Sequence, residues 1–284
     1  MPFIRFLFSI RDKIITFAAD WRKPSYIIFF IITVQRYFIE LSFNGARYHG
    51  WQIQPNGMSV QQKLQEALST ILRSQIEVTG AGRTDAGVHA AMMVAHFDVD
   101  GQVVDDFGGT DQLVYKLNRL LPFDIAVRGI ARVENDMHAR FSATARTYHY
   151  YVHTRKDPFL GDRSCFIHYP LDFALMNEAA RLLLRNDDFA AFCKSHTDVK
   201  TTICQVSEAQ WKQIDDHRWV FVITANRFLR NMVRAVVGTL VDVGRGRVSL
   251  QQFADILASK RRTEAGESMP PQALFLQHID YVER

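Results

Sequence analysis

The residues best equipped for chemistry stand together in Gly80-Ala81-Gly82-Arg83-Thr84-Asp85-Ala86-Gly87-Val88-His89-Ala90. Small residues there let backbone segments pack closely, and glycines admit the positive φ of tight turns. Asp85 is a lone carboxylate in this loop, the kind of group that serves as acid, base or nucleophile. The plain alternative is a tight loop whose aspartate bonds its own backbone. A second set lies far down the chain. Arg227, Arg230 and Arg234 are spaced by three and four, so a helix through them carries all three on one face beside Met232, Val233, Val236 and Val237. Such arginines commonly snorkel to water; the functional reading has Arg234, deepest in the helix, reaching a buried carboxylate. Tyr148, two residues after Arg146, is either a packed tyrosine or a plate on which a base stacks. His49, His89 and His138 lack the spacing of a zinc site, so no metal is expected. Lys260-Arg261-Arg262 reads as a solvated face or as a phosphate contact.

Elements with clear periodicity surround these residues. Tyr37, Ile39, Leu41 and Phe43 alternate with polar and smaller positions as a strand does, and Asn44-Gly45 turns the chain into Tyr48-His49-Gly50-Trp51-Gln52. Ser59-Val60-Gln61-Gln62 has the spacing of a helix cap with a reciprocal glutamine, followed by the stripe Val60, Leu64, Leu68, Ile71 and Leu72. A β-type run over Ser74 to Thr79 precedes the aspartate loop, and Met92 to Val99 follows it as a strand. A helix over Asp111 to Leu121 stops at Pro122, and Ile125 to Val133 is a further strand. This β-α-β-β-α-β order is that of a ferredoxin-like unit. The theme returns in strand Thr144 to His153, helix Asp172 to Leu184, a hairpin of Gln205 to Ile214 and Arg218 to Ala225, helices Phe228 to Val243 and Ser249 to Ala258, and strand Leu274 to Val282. The fold class is α+β: two ferredoxin-like halves in a mostly antiparallel sheet with helices on one face. Glu134-Asn135-Asp136 is the best boundary, dividing 34–136 from 137–284.

Composition sets outer limits. With 48% hydrophobic and 23% charged residues over 284 positions, the chain is an ordinary globular protein large enough for two domains. Its net charge of +4 is compatible with a polyanionic partner without demanding one. Cys165, Cys193 and Cys204 form no CxxC pair, which favours free thiols in a reducing, cytoplasmic compartment. Residues 1–33 look foreign to the rest: Phe3, Leu7, Ile10, Ile14 and Phe17 fall near helical spacing, and the apolar run Tyr26 to Ile32 falls short of the roughly 20 residues that span a bilayer. Arg11, Asp12 and Lys13 break any signal-peptide pattern. A peripheral anchor is one reading of this extension; an over-extended start, with the mature chain opening near Val34, is the one favoured here.

Four stretches together resemble the tRNA pseudouridine synthase A family. They are Ala81 to His89; His138-Ala139-Arg140-Phe141-Ser142-Ala143-Thr144-Ala145-Arg146 with Tyr148; Asn226, Phe228, Met232, Val233, Arg234, Val237 and Gly238; and Tyr48, Gly50, Trp51, Gln52 and Gln54 with Ser59-Val60-Gln61. The likeness runs from about Val34 to the C-terminus. It departs at Asn44, where the family commonly has an aspartate, and at Arg230-Asn231, which replace a pair often found as histidines. The resemblance implies isomerisation of uridines at positions 38, 39 and 40 of the tRNA anticodon stem-loop, by a cofactor-free homodimer with an RNA-binding cleft between its halves. It implies Asp85 as catalytic nucleophile or base, Arg234 as its ion-pair partner, and Tyr148 stacked on the uracil and assisting proton transfer. Arg83 and Arg146 join Tyr148 in binding substrate. Another pseudouridine synthase branch, or a non-catalytic RNA-binding module, are the rival readings.

Overall fold

The computed structural model describes residues 4–10, 13–19, 28–194 and 200–282, with side chains from residue 34 onward. Strands β1 (Ile4–Ile10) and β2 (Lys13–Ala19) pair with each other, and β2 pairs with the first part of β3 (Ile28–Phe43). The helical spacing expected around Leu7 to Phe17 is therefore not realised. Consecutive β-branched and aromatic residues such as Ile14-Ile15-Thr16-Phe17 favour the extended chain over a helix.

From residue 34 the expected order is found. After β3 come α1 (Val60–Leu72), β4 (Thr79–Gly80), β5 (His89–Asp100), α2 (Gly101–Asp106), α3 (Gly109–Leu120) and β6 (Ile125–Val133). The second half holds β7 (Ala143–His153), β8 (Cys165–Phe166), α4 (Phe173–Leu183), β9 (Val206–Gln213), β10 (Arg218–Ala225), α5 (Met232–Gly244), α6 (Leu250–Ser259) and β11 (Leu274–Tyr281). The described strands form one sheet in which β6-β3-β5-β4 and β11-β7-β10-β9 repeat one ordering, last-first-third-second within each half. That is the ferredoxin-like order, present twice. Because β4 is two residues long and pairs only at His96 and Ala95, the start of β5 is left open to β11. There Phe275 and Leu276 run parallel beside His89 and Ala90, and the two halves become one sheet.

Leu274 and Leu276 lie two apart on β11 and so share a face. Leu274 packs in a core with α4 and α5, and Leu276 in a core with α1 and α3, so the helices of both halves cover the same face. In the first core Tyr150, Phe221 and Ile223 meet Met176, Ala180, Val236 and Leu240. In the other Ile39, Leu41 and Met93 meet Leu64, Leu68, Leu113 and Leu117.

Local departures have local causes. The β-type run expected over Ser74 to Thr79 shortens to Thr79–Gly80, because the Gln65 side chain receives the Val78 N–H and Gln61 donates to the Val78 carbonyl. Ser59 caps α1 by accepting from the Gln62 N–H, but the Gln62 side chain turns to Glu66 instead of closing the box. The complete capping box is at α6, between Ser249 and Gln252. The helix expected from Phe228 starts at Met232, since Asn231 sits in the left-handed region at φ 67°. Phe228, Leu229 and Arg230 are thus off the helix.

Candidate active site

Asp85 lies in the loop between β4 and β5, held from beneath by the Tyr48-to-Gln52 segment. The Trp51 N–H points at the Thr84 carbonyl (3.4 Å), and the Gly87 N–H donates to the Tyr48 carbonyl (3.3 Å). Gly50 makes this approach possible: its φ is +86°, and a Cβ there would sit 2.3 Å from the Thr84 oxygen. Within the loop the Val88 N–H donates to the Asp85 carbonyl at 3.1 Å, so the backbone turn is closed by main chain and the carboxylate is left for other work.

That carboxylate meets two guanidinium groups. Arg234 Nη1 donates to Asp85 Oδ2 at 3.2 Å, while its Nε donates to the Met269 carbonyl at 2.6 Å. Arg234 is thereby fixed at both ends of its guanidinium. The residues 267–269 that hold it run against α5 at Gly238, where a Cβ would meet the Glu267 oxygen at 1.8 Å. Arg230 Nε approaches the other oxygen, Oδ1, at 3.9 Å. The carboxylate opens on a cavity of about 780 Å³ lined by Asp85, Ala86, Lys194, Arg230, Asn231, Arg234, Arg262 and Pro271. Four cations against one carboxylate make it a hollow for an anionic ligand, of a size that takes a small ligand or one nucleotide.

Curated proteins are similar to this chain over most of its length. "tRNA pseudouridine synthase A" of Bacteroides fragilis is 56% identical over 250 residues, covering 88% of this chain and 98% of that protein. The proteins of the same description from Bacteroides thetaiotaomicron and Parabacteroides distasonis are 54% and 52% identical, each over 88% of this chain and over 92% and 97% of their own length. The family profile described as tRNA pseudouridine synthase matches residues 179–282. The chain belongs to the tRNA pseudouridine synthase A family.

The residues that carried the resemblance to this family are not equally placed. Asp85 and Arg234 meet directly. Tyr148 is half-buried on β7, edge-on to Phe228 with ring centroids 5.0 Å apart. Burial, with the nearby Asp85 charge and against the opposing effect of Arg146, pushes its phenol up to about 12. Arg83 is exposed and makes no ion pair or side-chain hydrogen bond among the described residues. Arg146 is differently engaged: Nη1 donates to the Ala143 and Asn226 carbonyls, and Nη2 to those of Ala81 and Arg140, at 2.6 to 3.2 Å. Its hydrogen bonds tie the aspartate loop to the second half, so both Nη groups are taken up by backbone.

Sequence reasoning on these family motifs missed three contributors. Arg230 was expected on the face of a helix with Arg234, and instead reaches Asp85 from the turn before it. The run Lys260-Arg261-Arg262 reads in sequence as a solvated face or a phosphate contact, with nothing to set Arg262 apart; Lys260 and Arg261 do pair at the surface with Asp188 and Glu264, but Arg262 turns inward to the Ala265 and Gly266 carbonyls and the Ser268 hydroxyl. Lys194 joins the cavity through a backbone bond to the Arg230 carbonyl at 3.1 Å. No signal in the sequence pointed to it. His89, of the signature loop, lies away from the cavity lining: its Nδ1 accepts from the Gly45 N–H, and its Nε2 lies 3.0 Å from the carbonyls of Asp162 and Gln272. Among the described residues no group of His, Cys, Asp or Glu could hold a metal, and no helix is long and apolar enough to cross a membrane.

Proposed function

We propose that this chain isomerises uridines 38, 39 and 40 in the anticodon stem-loop of tRNA to pseudouridine, with Asp85 as the catalytic carboxylate. Family membership supports the activity on tRNA uridine; the position within tRNA and the roles of residues belong to the proposal. The observation that carries it is the pair of Asp85 and the doubly anchored Arg234 at the edge of a cationic hollow. The reaction breaks the bond from ribose C1′ to uracil N1, turns the base, and joins C1′ to C5; the proton lost from C5 is balanced by one gained at N1. A carboxylate is suited to act on the ribose or the base only if it stays ionised, and an adjacent guanidinium favours that form. The target nucleotide leaves its stack at a cost of a few kcal/mol. Arg83, exposed and without an ion pair among the described residues, fills the vacated space or holds a phosphate. Tyr148 stacks on the uracil. Arg146 acts as a positioning residue through its backbone bonds. Residues 34–136 and 137–284 form the two domains that frame the RNA cleft, two copies of the chain work together, and the reaction belongs in the cytoplasm with its substrate.

The test is incubation with undermodified tRNA followed by nucleoside analysis and mapping of the modified positions. Pseudouridine at 38 to 40 is expected from the wild type. None is expected from Asp85→Asn, which keeps its fold and its tRNA binding. Full activity in Asp85→Asn would remove the carboxylate from the mechanism.

A further inference from the structure

The two arginines on Asp85 are held in opposite ways. Arg234 is largely enclosed, with 19% of its side chain exposed, and is clamped between Asp85 and the Met269 carbonyl. Arg230 is 58% exposed, and among the described residues its guanidinium makes one ion pair, to Oδ1 at 3.9 Å, longer than a hydrogen bond. Exposed ion pairs at such range contribute little, so Arg230 exchanges partners at small cost. Its origin explains the difference. Asn231, in the left-handed region and tied to the Ser268 hydroxyl, separates Arg230 from α5 and brings it to the other carboxylate oxygen. Of the other cations on the lining, Arg262 is committed to two carbonyls and a hydroxyl.

We propose that Arg230 is a phosphate-exchange residue: it rests on Asp85 Oδ1 in the empty site and transfers to a backbone phosphate of the RNA when the target nucleotide enters. This rests on the function proposed above. A backbone phosphodiester offers a guanidinium one full negative charge spread over two non-bridging oxygens, a bidentate partner in place of a distant carboxylate oxygen. The exchange leaves Oδ2 fixed by Arg234 and uncovers Oδ1 only when RNA is present. The carboxylate is thus screened while the site is empty and bare on one oxygen once substrate has arrived.

The test measures tRNA binding across salt concentrations together with single-turnover pseudouridine formation. Each phosphate neutralised contributes close to one unit to the salt slope of binding. Arg230→Ala is expected to lower that slope by about one unit and to weaken binding about tenfold at 50 mM salt, a deficit that shrinks about threefold by 200 mM. The loss falls on KM rather than on the rate at saturating tRNA. Arg230→Lys, which keeps a point charge, recovers most of the slope. An unchanged slope in Arg230→Ala overturns the proposal, as does a collapse of the saturating rate with the slope intact, which would make Arg230 a holder of Asp85. Wild-type pseudouridine yield in the same assay reports on the underlying function, and the salt slope on Arg230, so the two failures are told apart.

Discussion

A phenol pushed up to about 12 keeps its proton at neutral pH, which limits what Tyr148 can do. It is not a standing base; in the proposed reaction its part is a proton relay through a hydroxyl that has no hydrogen-bond partner among the described residues. The ring alone suffices for stacking, whereas the relay needs the oxygen. Tyr148→Phe should therefore bind tRNA nearly as well as the wild type while single-turnover formation of pseudouridine slows by about 100-fold or more, the range of general acid–base contributions. Undiminished single-turnover speed would confine Tyr148 to packing. At this scale the sequence showed which side chains could react, since Asp85, Arg234 and Tyr148 are unusual in their settings. It did not show that Arg146 would be consumed by four carbonyls or that Arg230 would reach Asp85. Those outcomes depend on where other segments put their backbone.

Elements matter through what they hand to one another. His96, on β5, accepts the Ala139 N–H on Nδ1 at 3.2 Å and lies edge-on to His138, so the strand of one half receives the segment that opens the other. Burial, reinforced by Arg36 and His138 and opposed by Asp98, lowers His96 from 6.5 to about 4. The sign follows from proton binding. The unfolded chain takes up a proton near pH 6.5 and the folded one resists until about 4, so stability is full above 6.5 and is lost as pH falls between these values. At pH 5 the loss from this one residue comes to about 2 kcal/mol. Urea unfolding at pH 7 and pH 5 should show it, and His96→Gln, which keeps an acceptor but cannot titrate, should remove that share of the difference. Equal pH dependence in the two proteins would show that His96 is not the source. Helix and strand limits were legible within a residue or two wherever capping or alternation was clear, as at Ser249 and at Ile125–Val133. They were not legible at Phe228, where a left-handed asparagine delays the helix for reasons that lie in the Ser268 contact.

For the molecule as a whole, the joint between halves is the decisive feature. Phe275 and Leu276 of β11 dock on His89 and Ala90 of β5, and His89 adds hydrogen bonds to Gly45, Asp162 and Gln272. The neutral ring with its proton on Nε2 satisfies all three, and burial holds His89 below its ordinary value. Two halves that share one sheet and a buried polar staple should unfold together. Far-UV circular dichroism and tryptophan fluorescence, with Trp51 in one core and Trp211 in the other, should report coincident urea transitions. Separate midpoints would mean that the halves are independently stable.

By itself the sequence determined the α+β class and the twofold β-α-β-β-α-β order, and it marked Asp85, Arg234 and Tyr148 as candidates for chemistry. Periodicity, capping and residue chemistry are local properties and can be read along the chain. Only the tertiary structure decided which groups meet. Asp85 and Arg234 are 149 positions apart, and they meet at 3.2 Å where β11 completes the sheet beside β5 and residues 267–269 pack on α5 at Gly238 and hold the Arg234 guanidinium. Long-range packing of this kind leaves no periodic trace in the sequence.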